Sequence, residues 1–423
     1  MIVSSVRITP IAFRDPPLLN ASGIHEPYAL RSIIEVVTSE GVTGLGETYG
    51  DAPVLNALQA IAEHLAGLTV YDLNGLRAIV TRIIAGLPAP AAGALLAPGS
   101  QPAKLVANCF SAFEVAFLDA QARLAGLPLH ALLGGAVRYE VPFSAYLFFK
   151  YARHIEPEQT PDAWGEALTP AQIVDQARRM IELHGFGSIK LKAGTLAPDI
   201  EVAAIEALAN AFPGVPLRID PNAAWSMDTA LRCADRLGPL IEYYEDPVDG
   251  LPAMAELHRR SGLPLATNMV VTSFEQFRTS IALDAVQIVL SDHHYWGGLR
   301  ESQALGVMCR TFDLGLSMHS NSHLGISLMA MAHLAAATPN LTYACDTHYP
   351  WVEEDDEVIC GGKREITGGC VRLDDSPGLG VKLDPDRLAR AHEAFLGTSI
   401  RTRDDEGQMR KYQREYRALR PRY

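Results

Sequence analysis

The sequence predicts an α/β fold in which a parallel eight-stranded β/α barrel of the TIM type follows a smaller α+β unit. Three observations carry that expectation. From residue 141 onward, short apolar segments alternate with amphipathic helical ones; eight such segments lie within about 200 residues; and from the second to the eighth, each ends on an ionisable or amide side chain. Eight parallel strands close a barrel, and barrel enzymes draw their sites from the C-terminal ends of several strands. The 423 residues have room for a barrel of roughly 250 residues and a second unit. The composition, 48% hydrophobic and 20% charged, is that of a globular protein and excludes a disordered, collagen-like or coiled-coil chain.

Residues 1 to about 60 read as strands, with stretches such as SIIEVVTSEGVTGLGET broken by glycine turns, and residues 55 to 135 read as Ala- and Leu-rich helices. The run GLPLHALLGGAV (126–137) reads as a short helix closed by Gly134 and Gly135, since paired glycines end a helix at little cost. This reading places an α+β capping domain at 1–137, the barrel at 138–384 and a C-terminal segment at 385–423. Barrel strands are expected in VPFSAYLFF (141), SIKLK (188), PLRID (216), IEYYE (241), PLATN (264), AVQIVLSD (285), GLSMH (315) and LTYACD (341). The longer first interval, 149–187, opens on polar, Pro-containing sequence and is expected to form a loop over the barrel mouth. The tail ends in KYQREYRALRPRY, too basic and aromatic for a linker, and is expected to pack back on the N-terminal unit.

The formal charge of −13 opposes nonspecific attraction to nucleic acid or anionic lipid, so neither is expected as a partner. An anionic substrate has to be met by cations concentrated at its site. The six cysteines form no CxxC pair and no zinc-ligand spacing, which reads as reduced thiols in a cytoplasmic protein. MIVSSVRITPIAFRDP lacks the basic and apolar regions of an export signal, and no uncharged apolar run reaches about 18 residues, so neither export nor a membrane span is expected.

The polar strand ends are Lys190 and Lys192, Asp220 and Asn222, Glu245, Asn268, Asp292, His319, and Asp346 with His348. Buried parallel strands should read as apolar, so polar groups in phase at seven strand ends point to a site. Asp220, Glu245 and Asn268, from successive strands, offer two carboxylates and an amide oxygen, the hard donors that suit Mg2+. Asp246 and Asp249 stand nearby as reserve ligands. The competing reading of such residues is helix N-capping. Lys190 and Lys192 flank Leu191, so both project from one strand face into the barrel, where a desolvated lysine near a metal can work as a base. Asp292 and His319 end neighbouring strands, where the carboxylate can orient the imidazole and stabilise its protonated form. His319 and His323 stand four apart but lack the glutamate of a helical zinc site. His293 and His294 read as local packing or capping residues.

Together KLK, RIDPNAAW, YYEDP, ATNM, SDHHYW, SMHSNSH and ACDTH resemble the enolase superfamily, and specifically its glucarate dehydratase branch. The resemblance runs over nearly the whole chain, including LLNASGIHEPYALRS, which is similar to that branch's N-terminal substrate loop. An asparagine as third ligand, combined with an Asp–His dyad and a KLK pair, makes it specific. It implies a modified barrel capped by the N-terminal region and the tail, Mg2+ on Asp220, Glu245 and Asn268, and two bases on opposite faces of the substrate. Lys192, with Lys190 beside it, is one base; His319, assisted by Asp292, is the other. The resemblance further implies substrate contacts from His25, Tyr146, Asn222, Asn321 and His348 and from a tail arginine, with Arg420 the counterpart and Arg422 the alternative. A cap hydroxyl contact is sought in PGSQPAKLVAN (98–108).

The reaction so implied is Mg-dependent dehydration of a diacid sugar, D-glucarate or L-idarate, to 5-dehydro-4-deoxy-D-glucarate. The chemistry fits the residues independently. A proton α to a carboxylate is weakly acidic, so its removal needs a cation and cationic side chains to hold the developing enolate, and loss of a β-hydroxyl then needs an acid. A small-molecule diacid is the expected partner and a homo-oligomer the expected assembly. Within the same fold, a galactarate or mandelate-like dehydratase or racemase would use the same metal and bases. A noncatalytic relative that binds a sugar acid would be expected to show a broken constellation.

Overall fold

The fold is that of a computed structural model, which describes residues 1–88 and 104–423. Positions 98–103, part of the segment in which the cap hydroxyl contact is sought, lie outside the described residues. The chain opens with β1 (Val3–Arg14), the small hairpin β2 (Leu19–Asn20) and β3 (Gly23–Ile24), β4 (Tyr28–Thr38) and β5 (Thr43–Tyr49), with β1, β4 and β5 forming one antiparallel sheet in that order. Helices α1 (Ala52–Ala62), α2 (Leu73–Gly86) and α3 (Leu105–Ala125) follow. Gly44 and Gly46 alternate along β5 beneath α3, where a Cβ at either would run into the carbonyl oxygens of Ala116 and Ala112. Their absence of side chain lets the helix backbone lie directly on the strand. The short α4 (Leu129–Leu132) is followed by Gly134 and Gly135 at φ 102° and 93°, a left-handed exit that glycine adopts without strain.

From β6 (Glu140–Phe148), strands and helices alternate: α5 (Pro170–His184), β7 (Ile189–Lys192), α6 (Pro198–Ala211), β8 (Leu217–Asp220), α7 (Met227–Leu237), β9 (Tyr243–Glu245) and α8 (Leu251–Ser261). Then come β10 (Leu265–Thr267), α9 (Phe274–Leu283), β11 (Ile288–Ser291), the single turn α10 (His293–Trp296), α11 (Leu299–Thr311), β12 (Gly315–Met318), α12 (Gly325–Ala336) and β13 (Cys345–Asp346). Neighbours from β6 to β12 pair in parallel and in chain order, and β13 pairs in parallel with the other side of β6. The backbone N–H groups of Thr342 and Tyr343 donate to the Leu316 carbonyl at 3.0 and 3.2 Å, which brings the eighth segment against β12 and closes the ring. All eight expected strands are present. The eighth is shorter than LTYACD suggests, because Thr342 and Tyr343 share one carbonyl instead of extending a ladder. After it the chain runs into short 3-10 turns and the hairpin β14 (Ile366–Thr367) and β15 (Cys370–Arg372), whose second strand pairs antiparallel with β6.

The tail returns to the N-terminal unit, as its composition suggests. Helix α13 (Pro385–Gly397) lies along β1 and α14 (Asp405–Tyr412) against β3. Between them Arg401 accepts from Ala52 N (2.7 Å), and Arg403 N donates to Asp51 Oδ1 (2.8 Å). The 149–169 segment covers the same corner: His154 Nε2 bonds the Asp15 carbonyl at 2.7 Å, and Tyr151 stacks on Tyr412. Cap and barrel are also tied by an internal ion pair. Arg31 of β4 and Glu47 of β5 meet at 2.9 Å, both buried, and Glu47 accepts Leu324 N and Ser327 N at the start of α12 (2.9 and 2.8 Å). These three bonds to one carboxylate offset the desolvation that such a pair costs. Among the described residues, no helix is long and apolar enough to cross a membrane.

Candidate active site

The C-terminal ends of β7 to β12 open on a cavity of about 470 Å³ that is lined by Lys192, Asn222, Asn268, His319 and Asn321, with His25, Tyr146 and His348 completing its wall. Alternation along β7 turns both lysines inward. Lys190 Nζ donates to Glu245 Oε1 (2.7 Å) and Asp346 Oδ2 (2.6 Å) and lies 3.6 Å from Asp220 Oδ2, beneath the Tyr146 ring. Burial works against its charge, but Asp346 and Glu245 overcome it and hold the ammonium well above the usual lysine range. Lys192 Nζ donates to Asp220 Oδ2 at 2.7 Å. Tyr146 Oη stands 3.5 Å from that same oxygen.

One buried oxygen in this cluster, Asn268 Oδ1, has no hydrogen-bond partner, and both oxygens of Glu245 rest on the single Lys190 ammonium, at 2.7 and 2.6 Å. Asp220, Glu245, Asp246 and Asp346 crowd around Lys190, Lys192 and Arg218, and Arg218 is itself taken up by Glu242 and Asp346. Burial and the nearby Asp220 push Glu245 well above the usual carboxylate range and Asp246 up to about 7. An orphaned amide oxygen beside crowded buried carboxylates fits a divalent cation held by Asp220, Glu245 and Asn268. The two reserve ligands do not fit. Asp246, at φ 38°, spends its oxygens on Thr267 Oγ1 (2.6 Å) and Asn268 N (2.9 Å), so it orients Asn268, and Asp249 is exposed on the loop before α8.

His319 follows β12 with Nδ1 3.1 Å from Asp292 Oδ2, and its Nε2 has no protein partner among the described residues. Burial pushes its pKa down and the bond to Asp292 opposes that. Asp292 also accepts the backbone N–H of His294 (2.9 Å) as the N-cap of α10, so capping and dyad are two uses of one carboxylate. Although burial works against it, His294 and His319 hold Asp292 well below the usual carboxylate range.

The remaining wall comes from loops and from the cap. His25 Nδ1 bonds Asp15 Oδ2 at 2.9 Å, and its ring stacks on His348, which burial and His25 keep neutral. Asn222, at φ 55°, is fixed by its backbone N–H to Asp220 Oδ1 (3.0 Å). Asn321 Nδ2 donates to Tyr49 Oη and Tyr295 Oη (2.6 and 2.5 Å), leaving its Oδ1 for a ligand. The tail does bring an arginine to the mouth, but a different one from that expected. Arg420 ends on Ser22 Oγ (3.1 Å) and does not line the cavity, and Arg422 stacks on Tyr416. Arg403 does line it: Nε and Nη2 grip Asp405 at 2.7 Å each, Asp405 also accepts Asn20 Nδ2 (2.6 Å), and Nη1 has no partner among the described residues. His323 faces away, on Thr347 Oγ1 at 3.0 Å. Asp292, His293 and His294 lie close enough to suggest a metal cluster, yet Asp292 and His294 are already bonded to each other.

Sequence reasoning missed the parts of this site that come from the far end of the chain, Arg403 and Asp405, and their partner Asn20. It also assigned no task to Asp346, Tyr295 or His294. For Asp346 the signal was present in its phase with the other strand ends.

Residues 172–387 match the family described as enolase C-terminal domain-like, and residues 7–134 match the mandelate racemase / muconate lactonizing enzyme N-terminal domain. The chain belongs to the enolase superfamily. Within it, the chain falls in the glucarate dehydratase branch: it is 50% identical over 418 residues to a probable glucarate dehydratase of Streptomyces coelicolor, spanning 97% of this chain and 96% of that protein. An enolase from Pseudomonas fluorescens, solved with bound magnesium, potassium and tartrate, is 63% identical and superposes with a TM-score of 0.98 over 100% of this chain and 99% of its own. Another from Thermobispora bispora, complexed with magnesium and formate, is 49% identical with a TM-score of 0.96, each chain covered in full. The protein is an acid-sugar dehydratase, a carbon–oxygen lyase.

Proposed function

We propose that the protein dehydrates D-glucarate and its C5 epimer L-idarate to 5-dehydro-4-deoxy-D-glucarate, using Mg2+ held by Asp220, Glu245 and Asn268. The observation that carries this reading is that two separately anchored bases, Lys192 on Asp220 and His319 on Asp292, line one cavity from non-adjacent strands. Nε2 of His319 takes the C5 proton of D-glucarate, and the bond electrons pass into the C6 carboxylate as an enediolate. Lys190, held charged, supplies fixed positive potential there. The bound cation supplies Lewis-acid charge that lowers the cost of the dianion. His319 then returns its proton to the C4 hydroxyl, the C4–O bond breaks, water leaves, and the C5 enol tautomerises to the ketone. For L-idarate the C5 proton points the other way, and Lys192 Nζ takes it.

The distal carboxylate is read by His25 and Arg403, and sugar hydroxyls by Asn222, Asn321 and His348. In this reading residues 1–137 and 385–423 form the cap and 138–384 the barrel, and the six free cysteines agree with a cytoplasmic protein. A panel of D-glucarate, L-idarate, galactarate and mandelate with Mg2+, its products identified by NMR, tests the assignment. Glucarate and idarate are expected to give one product, whereas turnover of galactarate with glucarate inert moves the assignment. Arg403→Ala is expected to lower kcat/KM on glucarate about ten- to a hundredfold, the loss of one charge-assisted bond of about 1.5–3 kcal/mol, and to spare a matched monoacid. Arg420→Ala should stay within about twofold, since its partner is Ser22. The opposite ranking in steady-state kinetics would give the tail contact back to Arg420.

A further inference from the structure

His294 sits directly behind the dyad, buried, with no part in the chemistry above. Its Nδ1 lies 2.8 Å from Asp292 Oδ1, while Asp292 Oδ2 takes His319. Each oxygen of one carboxylate therefore serves one imidazole. Nδ1 of His294 carries the proton, because a carboxylate oxygen can only accept. Its Nε2 faces Arg31 Nη2 at 3.4 Å, Ser327 Oγ at 3.4 Å and the Glu47 carbonyl at 3.2 Å. The guanidinium can only donate, the carbonyl can only accept and the serine hydroxyl can do either, so the cap and α12 hold Nε2 from several sides.

We propose that His294 is a positioning residue for proton transfer at His319. By fixing Oδ1 of Asp292 it reserves Oδ2 for Nδ1 of His319, which leaves Nε2 of His319 as the free base. The inference rests on the reading of His319 as a base. The charged and titratable groups facing this assembly are Arg31, Glu47 and Tyr49 from the cap, His293 and Tyr295 from α10, His323 from the loop after β12, and Lys190 and Asp346 from the barrel. None of them offers Asp292 Oδ1 another side-chain donor among the described residues. Without the His294 ring, the carboxylate is held on that side by one backbone N–H alone, and its charge falls more heavily on His319.

Two substitutions separate this role from packing. His294→Asn keeps an N–H near the position of Nδ1, and His294→Leu removes it. His294→Leu is expected to lower kcat on D-glucarate about ten- to a hundredfold with KM within about twofold, and His294→Asn to recover most of it. In the same proteins, without substrate, the NMR titration midpoint of the His319 imidazole should rise by about 0.5–1 pH unit in His294→Leu, because Asp292 is no longer shared, and stay near the wild-type value in His294→Asn. His294→Ala provides the same comparison if leucine disturbs folding. An unmoved His319 midpoint, or equal loss in the Asn and Leu proteins, overturns the proposal. A wild-type protein that turns over no six-carbon diacid overturns the functional reading instead, and the substrate-free titration still decides the role of His294.

Discussion

His319→Ala is expected to lose D-glucarate dehydration by about a hundred- to ten-thousandfold, the usual worth of a positioned general base, while still exchanging the α-proton of L-idarate in deuterium oxide. The separation is possible because the two bases share no anchor. His319 is held by Asp292 at 3.1 Å, Lys192 by Asp220 at 2.7 Å, and loss of the imidazole leaves the second contact untouched. His319 has a second duty, donation of a proton from its imidazolium form to the departing C4 hydroxyl, which L-idarate needs as well although Lys192 takes its C5 proton. The variant should therefore exchange idarate faster than it dehydrates it. Proton NMR follows both events in one tube, and an unchanged rate on D-glucarate would remove His319 from the reaction.

Removal of the divalent cation should abolish turnover outright, and Mg2+ should restore it. The reason lies in the buried site: Asn268 Oδ1 lacks a partner, and burial beside Asp220 pushes Glu245 and Asp246 toward protonation. Asp220→Ala should not be rescued by added Mg2+, because it deletes a ligand and at the same time frees Lys192. Calorimetry gives a readout apart from activity: wild-type Tm should rise on adding Mg2+, a cation that binds the folded state and so stabilises it, and that rise should vanish in Asp220→Ala. A fully active Asp220→Ala protein after exhaustive chelation would overturn the metal assignment.

The barrel was legible because its signal is periodic. Strands buried on both faces are apolar, so Lys190, Asp220, Glu245, Asn268, Asp292 and His319 stand out against them and share a phase. Asp246 was not separable from Glu245 by sequence, because it lies just past the end of β9 at φ 38°, where strand alternation no longer tells which way a side chain points. Arg403 was not legible, since its place depends on α13 and α14 docking against β1 and β3, contacts between chain ends with no local pattern. The dense charge of KYQREYRALRPRY drew attention to Arg420, whereas geometry chose an arginine in the plainer stretch SIRTRDDEG. His294 was read as local packing or capping, since nothing in its sequence neighbourhood shows that its ring reaches Asp292 Oδ1.

The wall of the cavity is divided between two parts of the chain with different histories open to them. The proposed metal ligands and bases all sit on barrel strand ends, where a change would disturb the chemistry for every substrate. Asn20, His25, Arg403 and Asp405 belong instead to two short stretches nearly 400 residues apart, joined to each other through Asn20 and Asp405. A lineage acquiring taste for a different acid would be expected to alter these two stretches together, as one inherited unit, while the strand ends stay fixed.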